Sequence, residues 1–160
     1  MTVRYIASFL AILLYFSEAT GSASGQQYGG QQGLATIPLE VVSKAGSHKF
    51  IVELATTYEQ QAMGMMYRTK IDPDKGMFFV YTEAERRSYW MKNVSIPLDI
   101  IYIRSDGRIS NIIRNAKPHD GTPRYSRGKV LAVLEIAGGR ARELGIRPGD
   151  KVLHRIFDKK

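Results

Sequence analysis

The sequence predicts a β-rich α+β domain, a single small antiparallel barrel or sandwich with two short helices. Three observations carry this. Runs of β-branched and aromatic residues alternate with turn residues at short intervals from Ile37 onward. The dipeptide Asp106-Gly107 sits between two apolar-rich runs, which is the favoured signature of a two-residue hairpin. Only two segments, one after Thr57 and one after Gly139, have helical character.

The chain has 160 residues, a length suited to one domain rather than two. It opens with Arg4, an apolar run from Tyr5 to Phe16, and then small residues. This is the form of a secretory signal peptide, and residues 1–23 are assigned to it. The run is too short for a comfortable membrane span, so no span is expected after cleavage. Residues 24–35 are rich in glycine and glutamine without apolar periodicity, and are expected to be a flexible linker. Residues 36–157 form the expected domain.

Within it, TIPLEVVSK and HKFIVELA flank Ala45-Gly46-Ser47 and predict a hairpin. Thr57 with Gln60 three residues later is a capping-box pattern, so a helix is expected from about Tyr58 to Met66. DPDKG is a turn, and MFFVY and RRSYWM are strands. In LDIIYIRSDGRISNIIRNA, pairing Ser105 with Arg108 sets Asp99 opposite Arg114. Alternation then puts Asp99, Ile101 and Ile103 on one face, and Leu98, Ile100 and Tyr102 on the other. Lys117 to Gly128 is a polar loop. KVLAVLEI is apolar on both faces except at Glu135. Gly138-Gly139 turns the chain into a short helix, RAREL, and KVLHRIF is the last strand.

There is no cysteine, so no disulfide, thiol nucleophile or lipidated cysteine exists. An exported domain of this kind rests on its hydrophobic core. The net charge is +8, and removal of residues 1–23, with only Arg4 and Glu18, leaves it unchanged. Dispersed positive charge favours loose association with an anionic envelope surface; export argues against nucleic acid as a partner. His48, His119 and His154 lack metal-ligand spacing, and no metal or cofactor is expected. Asp72, Asp74 and Glu83 have the outer spacing of a calcium loop, but Met77 stands where that loop requires glycine. No G-x-S-x-G or P-loop is present. The amides of GGRARELG suit an anion at a helix N-terminus or, more simply, a tight strand-to-helix turn.

The polar residues inside apolar runs are the better lead, because a charge in core-like sequence must be exposed, paired or functional. Arg68, Lys92, Asp99 and Glu135 are of this kind, and Asn93 joins them as a turn former or donor. Asp99 has a structural explanation in a cross-strand pair with Arg114.

Four blocks around these residues are MGMMYR (63–68), GMFFVY (76–81), YWMKNVSIPLDIIYIRSDGRI (89–109) and VLEIAGGRARELGIRPGDKV (133–152). In this order they resemble the pattern of an uncharacterised bacterial and archaeal family, domain-of-unknown-function family 192. The resemblance covers roughly residues 40–155. Met65 replaces the leucine of the usual Gly-Leu-Met, and Val94 replaces the threonine of Trp-Met-Lys-Asn-Thr. The resemblance implies a small, largely β fold, often exported, and brings no reaction.

Three functions follow from the residues. The first is a non-enzymatic envelope-binding module for a small polar, sugar-like or anionic ligand, its site formed by Arg68, Trp90, Lys92, Asn93 and Asp99. The second is a carboxylate-dependent hydrolase of an envelope glycan, with Asp99 and Glu135 as the acid/base pair tuned by Lys92. The third is a structural or partner-interaction role in which the same groups lock the barrel.

Overall fold

The structure is a computed structural model, and it describes residues 30–158. The expected signal peptide at 1–23 lies outside the described residues. The strands are β1 (Thr36–Ser43), β2 (Gly46–Ala55), β3 (Lys75–Glu85), β4 (Ser88–Tyr89), β5 (Leu98–Ile103), β6 (Ile109–Ala116), β7 (Arg124–Tyr125), β8 (Val130–Ala137) and β9 (Lys151–Leu153). Two short α-helices, α1 (Tyr58–Met63) and α2 (Arg140–Glu143), interrupt them, and the expected last strand at 151–157 stops at Leu153 and is followed by a 3-10 turn, Arg155–Phe157, capped by the His154 side chain. Seven strands form one curled sheet in the order β6-β5-β8-β3-β2-β1-β9, and β4 pairs with β7 as a separate ribbon. The sheet edges meet at one end. There Ile109 N donates to Asp150 O (2.9 Å) and Val152 N to Gly107 O (2.8 Å), so the sheet is a partly closed barrel.

The expected antiparallel sheet holds with one exception: β2 and β3 run parallel. Parallel neighbours need a crossover, and α1 with the loop after it supplies one. Thr57 and Gln60 form the capping box read from the sequence, with both reciprocal bonds present. The helix ends at Met63, short of the expected Met66, because Gly64 turns to φ 47° and the next residues form a tighter turn. The expected strand at 86–91 is reduced to β4, and its partner β7 lies inside the loop predicted at 117–128.

Part of the expected linker at 24–35 is packed on the domain. Gln31 Nε2 donates to the carbonyls of Gln60 (2.9 Å) and Gly64 (3.0 Å), and Leu34 packs on the core. The bond to Gly64 O reaches a carbonyl past the end of α1, and Gln60 O also accepts from Gly64 N at 2.9 Å.

All six residues of β5 are buried, and the strand separates two cores. Ile101 and Ile103 face the barrel interior with Leu39, Phe50, Phe78, Leu134 and Val152. Leu98, Ile100 and Tyr102 face an outer core with Met77, Phe79, Met91 and Val133. The face assignment read from alternation is therefore correct. The outer core is covered by α1, the residues that follow it, and the segment from Tyr89 to Ile96.

Asp99 does not pair with Arg114. The hairpin closes between Arg104 and Arg108, not Ser105 and Arg108, because the loop holds three residues. A first slip between Ile103↔Ile109 and Tyr102↔Asn111 restores the expected register as far as Ile100↔Ile113, and a second slip leads to Leu98↔Ala116. The bulge turns the Asn115 amide onto Asp99 Oδ1 at 2.7 Å. Oδ1 also accepts from Gly139 N (3.0 Å), and Oδ2 from Ala141 N (2.8 Å). Arg114 donates instead to Ile146 O at 2.7 Å. The amides at the start of α2 thus meet an anionic group supplied by the chain itself, and the tight-turn reading of GGRARELG is the correct one.

Asn at position 99 would present an NH2 group to one of these three amide donors. Asp99→Asn is expected to lower unfolding stability by about 1–3 kcal/mol in urea denaturation. Wild-type stability in that variant would show that the three bonds are not important to the fold.

Candidate functional site

Strand β8 alternates between the two cores. Leu134 and Ile136 enter the barrel, whereas Val133 and Glu135 face the outer layer. Glu135 sits between Met77 of β3 and Ile100 of β5 in the pairing register. Its neighbours are apolar because these strands are buried on both faces. Above it the covering layer is incomplete, and a pocket of about 210 Å3 remains.

Glu135 lies at the pocket floor and is only 4% exposed. Gln61, Met63, Met65 and Met66 line one side, and Phe79, Tyr81, Tyr89 and Trp90 the other. The capping box and Gly64 set the first group, since they fix where α1 stops and the Met65–Met66 turn begins. Gln61 is held by its Nε2 bond to Val80 O at 2.8 Å. Tyr81 and Tyr89 share a hydroxyl–hydroxyl hydrogen bond of 2.7 Å. The Arg87 guanidinium lies 3.8 Å from the Tyr81 ring centre, a cation–π contact. Trp90 is 53% exposed at the pocket mouth.

The electrostatics follow from burial. Among the described residues, no hydrogen bond or ion pair reaches Glu135. Desolvation of the charged form alone pushes its carboxyl up to about 8. The Tyr89 hydroxyl is held well above the ordinary phenol range, first by burial and then by the charge of its Tyr81 and Glu135 neighbours. Tyr81 is raised as well, mainly by burial, with the Tyr89 bond and Arg87 opposing it. At neutral pH the pocket floor is therefore a protonated carboxylic acid, able to donate one hydrogen bond and accept others.

Among the residues singled out in the sequence, Trp90 and Glu135 come together here. The others go elsewhere. Arg68 pairs with Glu53 at 2.6 Å and donates to Gln31 O at 2.9 Å, lining a different cleft with Lys70, Asp72 and Lys75. Lys92 is exposed and has no side-chain partner among the described residues. Asn93 adopts φ 60° in a turn, and its Nδ2 donates to the Tyr67 hydroxyl at 3.2 Å. Asp99 pairs in register with Ile136, so it points to the barrel interior, opposite in face to Glu135. The expected five-residue site is thus not one pocket, and Asp99 and Glu135 cannot flank one scissile bond. Gln61, Tyr81, Tyr89 and the three methionines were not among the sequence candidates. Tyr81 and Tyr89 carry the only local signal, as hydroxyls in or beside apolar strands.

The model of domain-of-unknown-function family 192, described as an uncharacterized ACR, matches residues 40–154. The chain belongs to this family. Two solved structures agree with the fold. One, a protein of unknown function from Novosphingobium aromaticivorans DSM 12444, has a TM-score of 0.76 and 46% identity, covering 77% of this chain and 88% of its own. The other is described as a candidate transcription regulator, from Sinorhizobium meliloti 1021. It has a TM-score of 0.74 and 38% identity, covering 78% of this chain and 97% of its own. No curated protein matches the chain. Membership in the family establishes the fold and brings no activity.

The Glu135 carboxyl titrates near 4.5 when unfolded and near 8 when folded. Between these values the folded state holds a proton that the unfolded chain has lost. Stability is therefore expected to fall as pH rises through this window, by an amount on the order of a few kcal/mol. Glu135→Gln should flatten that dependence in denaturation curves between pH 4.5 and 8. An unchanged slope in the variant would show that Glu135 titrates normally.

Proposed function

We propose that the protein is an exported binding module of the cell envelope, and that the Glu135 pocket holds a small polar, sugar-like ligand. One observation carries the reading. A buried carboxyl stands at the floor of an aromatic- and methionine-lined pocket, unpaired by any described side chain, below an exposed tryptophan. Buried polar groups are normally hydrogen-bonded, so a carboxyl facing open space is matched to a group that arrives from outside.

A hydroxyl-bearing ring fits both ends of this pocket. Its hydroxyls can accept from and donate to the protonated Glu135, and its C–H face can pack on the Trp90 ring. A volume of about 210 Å3 is below the usual range for drug-sized ligands, which favours a single ring-sized unit. Export is inferred from Arg4, the apolar run from Tyr5 to Phe16 and the small residues that follow. Against the two-carboxylate hydrolase stands the separation of Asp99 from Glu135 on opposite faces of β5 and β8.

Isothermal titration of the purified protein with glucose, galactose, mannose and N-acetylglucosamine tests the reading. At least one is expected to bind, and Trp90→Ala to weaken it about tenfold or more. Absence of binding by all four, or equal binding by a folded Trp90→Ala variant, would contradict it.

A further inference from the structure

An open cleft neighbours the Glu135 pocket and shares one lining residue with it. That residue is Ser88, and the cleft, shallow and of about 430 Å3, is also lined by Arg86, Arg87 and Tyr125. Arg87 joins the two, since its guanidinium lies on the ring of Tyr81, a wall of the pocket. Ser88 pairs with Tyr125 and Tyr89 with Arg124, and Ser126 N donates to Arg87 O at 2.8 Å. Glu85 pairs with Val130, so Arg86 lies between two pairings that bracket the bend from Arg127 to Lys129.

These cations are not neutralised as others in the molecule are. Arg87 pairs with Glu85 at 3.1 Å, and Arg124 with Asp120 at 2.7 Å. Arg86, Arg127 and Lys129 are exposed, and no acidic partner among the described residues meets them. Like charges gathered around one bend repel each other. A bound anion relieves that repulsion. Tyr125, 57% exposed among them, adds a ring surface.

We propose that the natural ligand is an anionic glycan longer than the pocket. One sugar ring occupies the site of Glu135 and Trp90, and the acidic groups of the following units lie along Arg86, Arg127 and Lys129. The inference rests on the pocket assigned above and adds the ligand's charge and length. Ser88 favours a glycan over a membrane surface, because the cleft lined by Arg86 shares that residue with a pocket sized for one ring. The chain's net charge of +8 steers such a ligand toward the protein.

Titration of the purified protein with tetragalacturonate and with maltotetraose, at low and at physiological salt, tests this. Tetragalacturonate is expected to bind more tightly, with an advantage that shrinks as salt rises. Arg86→Ser with Arg127→Ser should weaken it about three- to tenfold while leaving maltotetraose unchanged. Trp90→Ala should weaken both. Three results would overturn the inference: equal binding of the two tetrasaccharides, tetragalacturonate binding indifferent to the arginine pair, or tetragalacturonate binding that survives Trp90→Ala. Vesicles of anionic phosphatidylglycerol are the control, and tighter binding to them than to tetragalacturonate, lost in the arginine variant, would make these cations a membrane contact and overturn it too. If neither tetrasaccharide binds, the inference is overturned, while the pocket reading stands or falls on the monosaccharide titration. If both bind equally, only the charge and length are wrong.

Discussion

Strand β5 is buried along its whole length, and a strand in that position needs cover on both faces. The barrel interior supplies one side. The other is made by α1, the Met65–Met66 turn and the chain from Tyr89 to Ile96. This second layer consists of short, irregular pieces, which close less completely than a sheet does. The space left above β8 is where Glu135 stands. The pocket is thus a consequence of how an entirely apolar strand, with its equally buried neighbour β8, had to be covered.

The same geometry gives two buried carboxyls opposite fates. Asp99 faces the barrel side and meets three backbone amides, from the bulge of β6 and the start of α2. Each of those donors stands where a bulge or a turn interrupts regular pairing. Glu135 faces the outer side and meets methionine and aromatic surface, with burial alone acting on its proton. Asp99 serves the fold, and Glu135 is left without a partner among the described residues. Around Glu135, Trp90 and the Tyr81–Tyr89 pair give the walls their aromatic character. Arg87 on the outside of Tyr81 ties that wall to the basic ribbon.

Much of this was legible locally. The Thr57–Gln60 cap and the alternation along β5 depend on residues close in sequence, and each was read correctly. The turn at Asp106-Gly107 was placed correctly, but it closes between Arg104 and Arg108 rather than between Ser105 and Arg108. The parallel pairing of β2 with β3 was not, because it depends on how a crossover returns to the sheet. The partner of Asp99 was missed for a related reason: a one-residue bulge moves Arg114 out of register, and two of the three donors lie forty or more positions away. Trp90 and Glu135 were each marked as unusual, yet their meeting needs the β3–β8 register and the layer above it. Arg68 and Lys92 carried the same signal of polarity in apolar sequence, but Arg68 pairs with Glu53 and Lys92 reaches the surface. Polarity within an apolar run therefore identified residues that need explaining, while only packing separated a pocket-facing group from a paired or exposed one.

The central claim is that Glu135 is a protonated acid at neutral pH, buried in a pocket and held for a ligand. Site-resolved carbon-13 NMR of the Glu135 side-chain carboxyl, followed across pH and assigned with Glu135→Gln, tests it most directly. A midpoint near 8 is expected. A midpoint in the ordinary range near 4.5 would show that water or a cation already serves the carboxyl, and would contradict the account.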